Sequence, residues 1–180
     1  MVAFDPATID VIEGRLHKCF WEMIENDLKE SPPNWKHFPN LIKDCNTYIK
    51  NILNNNELIV PLIEKELNSE DITSMIKNGT FSMQNIYNIL VFTLHQIKQL
   101  GPAIRDNQVA ELINSVHNTM KDPSKIIIHE FIPNMMKECL DRLKQIEQEK
   151  QYFKEQIENA SKSNNSATGD KSNPDDKSNP

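Results

Sequence analysis

Apolar residues recur at spacings of three and four along most of this 180-residue chain, which is the spacing of one face of an α-helix. Four breaks divide the pattern: Pro32-Pro33, Asn54-Asn55-Asn56, Gly79 and Gly101-Pro102. Proline and glycine end helices, and no stretch alternates apolar and polar residues as a half-buried strand does. The sequence therefore predicts an all-α fold, a single bundle of about six to seven helices.

The first predicted helix starts at Asp5-Pro6, a cap followed by a first-turn proline, and runs to about Lys29. Its apolar residues form one stripe: Ile9, Ile12, Leu16, Cys19, Phe20, Met23, Ile24 and Leu28. A stripe of this width needs to be covered by other parts of the protein.

The most apolar predicted helix spans Met83 to Gln99, and we expect it near the centre of the bundle. A long C-terminal helix is predicted to open at Asp122-Pro123, with a kink or a break at Pro133. The last twenty residues are rich in Ser, Asn, Asp and Lys, and such a segment cannot bury enough surface to fold. The prediction is one helical domain over residues 1–160 and a disordered tail over residues 161–180.

The sharpest local signal is the turn from Gly101 to Asp106, between two apolar helices. Gly101 can take the left-handed conformation that ends a helix, and Pro102 pre-sets the first turn of the next one. Asp106 suits the positive end of that helix, whereas Arg105 needs a partner elsewhere. We predict that Arg105 ties the turn to a carbonyl or carboxylate of a neighbouring helix. The alternative is that Arg105 and Asp106 frame a groove for a partner protein.

A second candidate is the aromatic pair Trp35 and Phe38, which follows Pro32-Pro33. An exposed tryptophan in such a position can be the anchor that carries binding energy. The alternative, which we favour, is that Trp35 staples the loop over the core.

The small-Pro-aliphatic-Arg-Asp turn between two helices resembles the T-complex protein 11 family. Further matches lie in the expected order: Trp21 ahead of an acidic stretch, the segment Glu30-Ser31-Pro32-Pro33-Asn34-Trp35 and the helix start at Asp122. The resemblance covers roughly residues 15–145, and the chain looks like the front half of a longer family member. It implies an all-helical fold, an association with cyclic-AMP and protein-kinase-A signalling, and no catalytic residues.

The net charge of −6 argues against binding to nucleic acid, since affinity for phosphate backbones comes from clustered cations. The lysines do not cluster on one helix face, which disfavours attachment to a membrane surface. No apolar run reaches the length of about 18 residues that spans a membrane. Three widely spaced cysteines, Cys19, Cys45 and Cys139, are typical of reduced thiols. Because no secretory signal follows Met1, the expected location is the cytoplasm.

The sequence predicts no cofactor, no metal ion and no catalytic group. None of the five histidines forms a Glu-x-x-His pair, and after His129-Glu130 a proline stands where a zinc protease needs its second histidine. Phosphate-binding loops and nucleophile elbows are also missing. The cysteines lie on apolar helical faces, where a thiol is an inert small hydrophobe. We therefore predict that the protein is not an enzyme.

The leading hypothesis is a non-enzymatic helical module that regulates other proteins by binding them through helix faces. One alternative is a small-molecule sensor or enzyme, which requires a pocket that gathers Arg105, a histidine and a carboxylate. The high Ile, Asn and Lys content indicates an AT-rich genome, so a structural or virion-associated protein of a large DNA virus is another alternative. The charged end of the last helix is either solvated or paired, which leaves a homodimer through this helix open.

Overall fold

A computed structural model describes residues 5–166, which form seven α-helices. These are α1 (Pro6–Leu28), α2 (Phe38–Ile52), α3 (Val60–Glu66), α4 (Ser69–Lys77), α5 (Met83–Leu100), α6 (Asp106–Thr119) and α7 (Ile128–Ser166). Short 3-10 turns cover Ala103–Arg105 and Pro123–Lys125, and the described residues include no strand. The predicted all-α fold is confirmed.

The first half of α7 is the centre of the packing, because α1, α2 and α5 all contact this helix. The side chains that α7 buries recur at spacings of four and three, and each is 5% exposed or less: Ile132, Met136, Cys139, Leu143 and Ile146. Between α2 and α7, Asn51 Nδ2 donates to Glu147 Oε1 at 2.7 Å. The remaining helices attach around this group, with α6 on α5 and with α3 and α4 on α2.

Sequence signals place several helix ends. Asn68 Oδ1 accepts hydrogen bonds from the backbone N–H groups of Glu70 and Asp71 at 2.9 and 3.1 Å, so this side chain caps the start of α4. At the start of α5, Asn85 Oδ1 accepts from the backbone N–H of Ser82 at 2.9 Å. Gly79 follows α4 with a φ of +67°, the left-handed conformation that stops a helix.

The start of the C-terminal helix differs from the prediction. Asp122-Pro123 opens a 3-10 turn, and α7 begins only at Ile128. Pro133 therefore lies in the second turn of α7, and the helix continues through it without a break. Proline removes one backbone hydrogen bond there, and the burial of its ring against the bundle offsets that loss. α7 extends into the predicted tail as far as Ser166, and residues 167–180 lie outside the described part of the chain.

Gly101 ends α5 for a reason that the sequence does not show. Its backbone is extended, with φ −82° and ψ 169°, so the prediction of a left-handed conformation at Gly101 is wrong. A Cβ at this position would lie 2.9 Å from the backbone oxygen of Ile97 and 3.3 Å from Cδ1 of Ile146. The glycine is required by close packing at the end of α5, where α7 passes it.

Candidate interaction surfaces

One side chain holds the turn between α5 and α6 against α7. Arg105 donates a hydrogen bond from Nη2 to Oε1 of Glu149 in an ion pair, and both side chains are partly exposed. The hydrogen bond from Arg105 lowers the pKa of Glu149 below its ordinary value of 4.5. Pro102 is exposed, and Asp106 is the first residue of α6, at its positive end. This geometry is a tie to a neighbouring carboxylate, and a partner-binding role for the turn stays a prediction.

The space beside this turn is too small for a ligand. A cavity of about 10 Å³ lies among residues that include Arg105, Asp106 and Arg142, with no histidine in its lining. Such a volume holds about one water molecule. The pocket that the small-molecule alternative requires is therefore not formed at this turn.

Substitution of Arg105 by alanine is expected to lower the free energy of unfolding by about 0.5–1 kcal/mol at neutral pH, because the pair with Glu149 is partly exposed. The pKa of Glu149 is lowered by folding, so the pair's contribution is fully present above pH 4.5. It is lost as the pH falls through the lower folded-state pKa. Urea unfolding of the wild type, Arg105→Ala, Glu149→Gln and the double variant measures the coupling at neutral and acidic pH. Single losses that simply add at neutral pH would show that the two side chains do not interact.

Trp35 and Phe38 belong to a packed aromatic cluster with Phe81. The ring centroid of Trp35 lies 5.9 Å from that of Phe38 and 5.3 Å from that of Phe81, both in edge-to-face arrangements. Phe38 is 3% exposed, so the prediction of an exposed anchor is wrong for this residue, which is part of the core. Trp35 is partly buried and packs over Phe38 as a staple does. A binding role for its exposed edge stays a prediction.

The loop that carries Trp35 is also tied to the end of α1 through Asp27. The Asp27 side chain is 12% exposed, and its Oδ1 accepts from Lys36 Nζ at 3.0 Å. Its Oδ2 lies 3.4 Å from Nε2 of His37, and its backbone oxygen accepts from the N–H of Asn34 at 3.0 Å. These contacts hold the start of α2 beside α1.

Among residues 5–166, no group of three His, Cys, Asp or Glu side chains is placed to hold a metal ion. Two of the histidines are instead hydrogen-bonded to aromatic side chains. His17 Nε2 accepts from Trp21 Nε1 at 3.1 Å, and His117 Nδ1 lies 2.7 Å from the hydroxyl oxygen of Tyr87.

The three cysteines differ in exposure. Burial raises the pKa of the Cys139 thiol to about 12 and raises the pKa of the Cys45 thiol well above its ordinary value. A buried thiol held in its neutral form is a poor nucleophile. Cys19, in contrast, is exposed on α1. The apolar packing that we expected for all three thiols is therefore not observed for Cys19.

We expect one thiol per chain to react rapidly with a disulfide reagent in dilute native protein, because Cys19 is exposed while Cys45 and Cys139 are buried. All three thiols should react once the protein is denatured. The absorbance of the thiolate that the reagent releases measures the number of reacted thiols in both states. The control is Cys19→Ser, which should lose the rapid phase. A second thiol that reacts as fast as Cys19 would contradict the packing of α7.

A cleft of about 440 Å³ lies between α1, α2 and α7. Aromatic rings of Phe20, Trp21 and Tyr48 line it together with the carboxylates of Asp44 and Asp141. Its volume falls at the lower end of the range of ligand pockets, about 300–1,000 Å³. Its lining does not include Arg105, so this cleft is separate from the predicted turn.

One apolar face of α1 is left uncovered by the described part of the chain. This face, the α1 seam, consists of five residues at successive spacings of three and four: Ile9, Ile12, Leu16, Cys19 and Met23. Ile9 is 43% exposed, Ile12 44%, Leu16 65% and Met23 38%, and Cys19 is also exposed. The same alternation of spacings on α7 is almost fully buried.

The core contacts of α1 come from its C-terminal part. Trp21, Ile24 and Leu28 are buried, and helix geometry puts them about 130° around the axis from the α1 seam. The predicted stripe is thus covered only where α1 joins the bundle, because every residue from position 8 to position 19 is exposed and the buried residues begin at Trp21.

These features define a class of protein, an all-α bundle that is packed around one long helix and presents an uncovered apolar helix face. A family model described as T-complex protein 11 matches residues 10–146 of the chain. The chain therefore belongs to the T-complex protein 11 family, which is not a known enzyme family. The resemblance drawn from the Pro-Pro and Pro-x-x-Arg-Asp segments is confirmed.

No curated protein and no solved structure gives a significant match to the chain. None of the helices between residues 5 and 166 is long and apolar enough to cross a membrane.

Proposed function

We propose that this chain is a non-enzymatic protein-interaction module and that the α1 seam is the surface through which it binds. The observation that supports the proposal is the exposure of five consecutive seam residues on a helix whose C-terminal part, from Trp21 to Leu28, is anchored in the core. An extended apolar face of this kind on an otherwise packed protein is typical of an interaction site.

Covering the α1 seam would supply a substantial favourable free energy. Full burial of a large aliphatic side chain contributes about 1.5–3 kcal/mol, and the large seam residues are 38–65% exposed in the free chain. Burial of each of these side chains against a partner would therefore contribute roughly half of that free energy. An amphipathic helix laid along the seam would use its own apolar residues at the same spacing.

A regulatory role in signalling belongs to this proposal. The family resemblance implies an association with cyclic-AMP and protein-kinase-A signalling, in which a module without chemistry of its own would act by binding other proteins. The proposed location is the cytoplasm, where an exposed thiol such as Cys19 stays reduced.

Quantitative affinity purification from an extract of the native host tests the proposal. Ile12→Glu places a charge in the seam, and Val11→Glu makes the same change at an adjacent, 54% exposed position outside it. We expect the recovery of stoichiometric partners to fall about tenfold or more with Ile12→Glu and to stay unchanged with Val11→Glu. Equal recovery with both variants, each shown to be folded by circular dichroism, would reject the seam as the binding surface.

The cleft between α1, α2 and α7 favours a second candidate function, a sensor for a small organic cation. Aromatic rings and carboxylates together bind ammonium groups, and the cleft presents both, with two carboxylates to the single lysine of its lining, Lys144. Primary and quaternary amines should then raise the melting temperature of the wild type and leave that of an Asp44→Asn/Asp141→Asn variant unchanged. An unchanged melting temperature of the wild type would remove this candidate.

A further inference from the structure

We infer that the α1 seam is covered by a second copy of this chain, with the two α1 helices antiparallel and Arg15 of each copy beside Glu22 of the other. The inference rests on the proposed function, because it names the partner of the surface proposed there. The contact is the same on both copies, so the assembly closes at two chains.

The spacing of the seam is that of a contact between two helices. Apolar residues separated alternately by three and four occupy the a and d positions of a heptad, and these positions face a partner helix. The buried stripe of α7 has the same alternation and is covered by three helices. The α1 seam has the same alternation, but no helix of the described chain covers it. A second α1 supplies a partner of equal length and matching pattern.

The charged residues beside the seam select the antiparallel orientation. With the first seam residue at position a, Arg15 and Glu22 occupy g positions, and Glu13 and Phe20 occupy e positions. In a parallel pair, g residues meet the e residues of the next heptad, so Arg15 would face Phe20 and Glu22 would face the carboxylate of Asp27. In an antiparallel pair g meets g, and two contacts between Arg15 and Glu22 form.

The same charges select the register. When Leu16 lies opposite Cys19 of the second copy, Arg15 of each copy lies beside Glu22 of the other, and both contacts are on the same side of the seam. Of the two neighbouring registers of the antiparallel pair, one would bring Arg15 against Arg15 and Glu13 against Glu13, and the other would bring Glu22 against Glu22. Like charges at such positions oppose pairing, so the first register is the one we propose.

Both charges are available for this contact. Glu22 lies 3.7 Å from Lys18 of the same helix, and the two side chains are 55% and 77% exposed. A pair so open to water contributes little. Arg15 forms no ion pair within the described part of the chain. Arg15 and Glu22 can therefore pair with the opposite charges of a second copy and add to the apolar contact, because no strong ion pair within the chain has to break.

Sedimentation equilibrium of charge-reversal variants tests both orientation and register. The wild type should form a concentration-dependent dimer. Arg15→Glu and Glu22→Arg should each raise the dissociation constant about tenfold or more, because each change turns two attractions into two repulsions. An equimolar mixture of the two variants should dimerise like the wild type, since every pair then joins opposite charges again. The double variant Arg15→Glu/Glu22→Arg should also dimerise.

Two further variants serve as controls for this experiment. Lys18→Glu changes the charge by the same amount as Arg15→Glu on the side of α1 away from the seam, and its dimer should keep the wild-type dissociation constant. Phe153→Glu disrupts an exposed residue of the α7 extension, where a homodimer through the C-terminal helix would form. If Phe153→Glu abolishes the dimer while the charge reversals leave it unchanged, α7 carries the contact and the inference is overturned.

A wild-type chain that stays monomeric at about 0.1 mM would also overturn the inference, since a dimer weaker than that is no specific partner. The proposed function would then be judged separately. If partners are lost with Ile12→Glu and kept with Val11→Glu, the seam binds another protein and the proposed function stands. Failure of both experiments would reject the seam altogether.

Discussion

Leu143→Ala is expected to lower the free energy of unfolding by about 3–5 kcal/mol. Leu143 is 0% exposed on α7, the helix against which α1, α2 and α5 pack. The substitution removes the buried methyl groups and leaves a cavity between helices that cannot all move in to fill it. For a domain with a stability of about 5–15 kcal/mol, such a loss is large.

Urea unfolding followed by circular dichroism measures this effect. The matched control is Leu58→Ala, the same chemical change at a side chain that is 89% exposed, and it should change the free energy of unfolding by less than about 0.5 kcal/mol. Similar losses for the two variants would mean that α7 is not the centre of the core.

Gly101→Ala is expected to destabilise the protein by about 1–3 kcal/mol. The added Cβ would lie 2.9 Å from the backbone oxygen of Ile97, which is closer than such atoms approach in real structures. The Ile146 side chain, 3.3 Å away, can move, but the backbone oxygen belongs to the last turn of α5. Relief of the contact therefore requires a shift of that turn relative to α7.

The comparison for Gly101→Ala is Gly14→Ala, which should stabilise the protein by about 0.5–1 kcal/mol. Gly14 lies inside α1, and a Cβ there meets no atom within 4 Å. Alanine is the better helix former, so the two substitutions should have opposite signs in thermal or urea unfolding. A stabilising Gly101→Ala would contradict the close packing of α5 and α7 at this point.

Much of the fold follows from local chemistry in the sequence. The side chain of Asn68 satisfies the first N–H groups of α4, and a glycine with positive φ follows that helix, so both of its ends are encoded nearby. The ion pair of Arg105 was also predictable in kind, because an arginine at the positive end of a helix needs a carboxylate elsewhere. That the carboxylate is Glu149 depends on how α7 passes the turn, and no local pattern contains this information.

Features that depend on which surfaces meet could not be predicted in the same way. The periodicity of α1 shows that its apolar residues share a helical period, but it does not show that Leu16 is 65% exposed while Leu28 is 5% exposed. Cys19 was expected to be packed for the same reason. The requirement for glycine at position 101 likewise comes from a neighbouring turn and a neighbouring helix, which the local sequence does not specify.

The division of α1 into an exposed N-terminal part and an anchored C-terminal part links the fold to the proposed function. The C-terminal part of α1 holds the helix in the bundle, and the seam is presented along a rigid helix at little cost in conformational entropy.

Site-specific photocrosslinking tests the role of the seam most directly. A photoreactive phenylalanine analogue would replace Leu16, in the seam, or Lys18, whose side chain is 77% exposed on the opposite side of α1. After irradiation in a native host extract, we expect a discrete adduct with a protein from position 16 and none from position 18. Mass spectrometry distinguishes a second copy of the chain from another protein. Equal adducts from both positions, or none from position 16, would contradict the proposal that this face is where the protein binds.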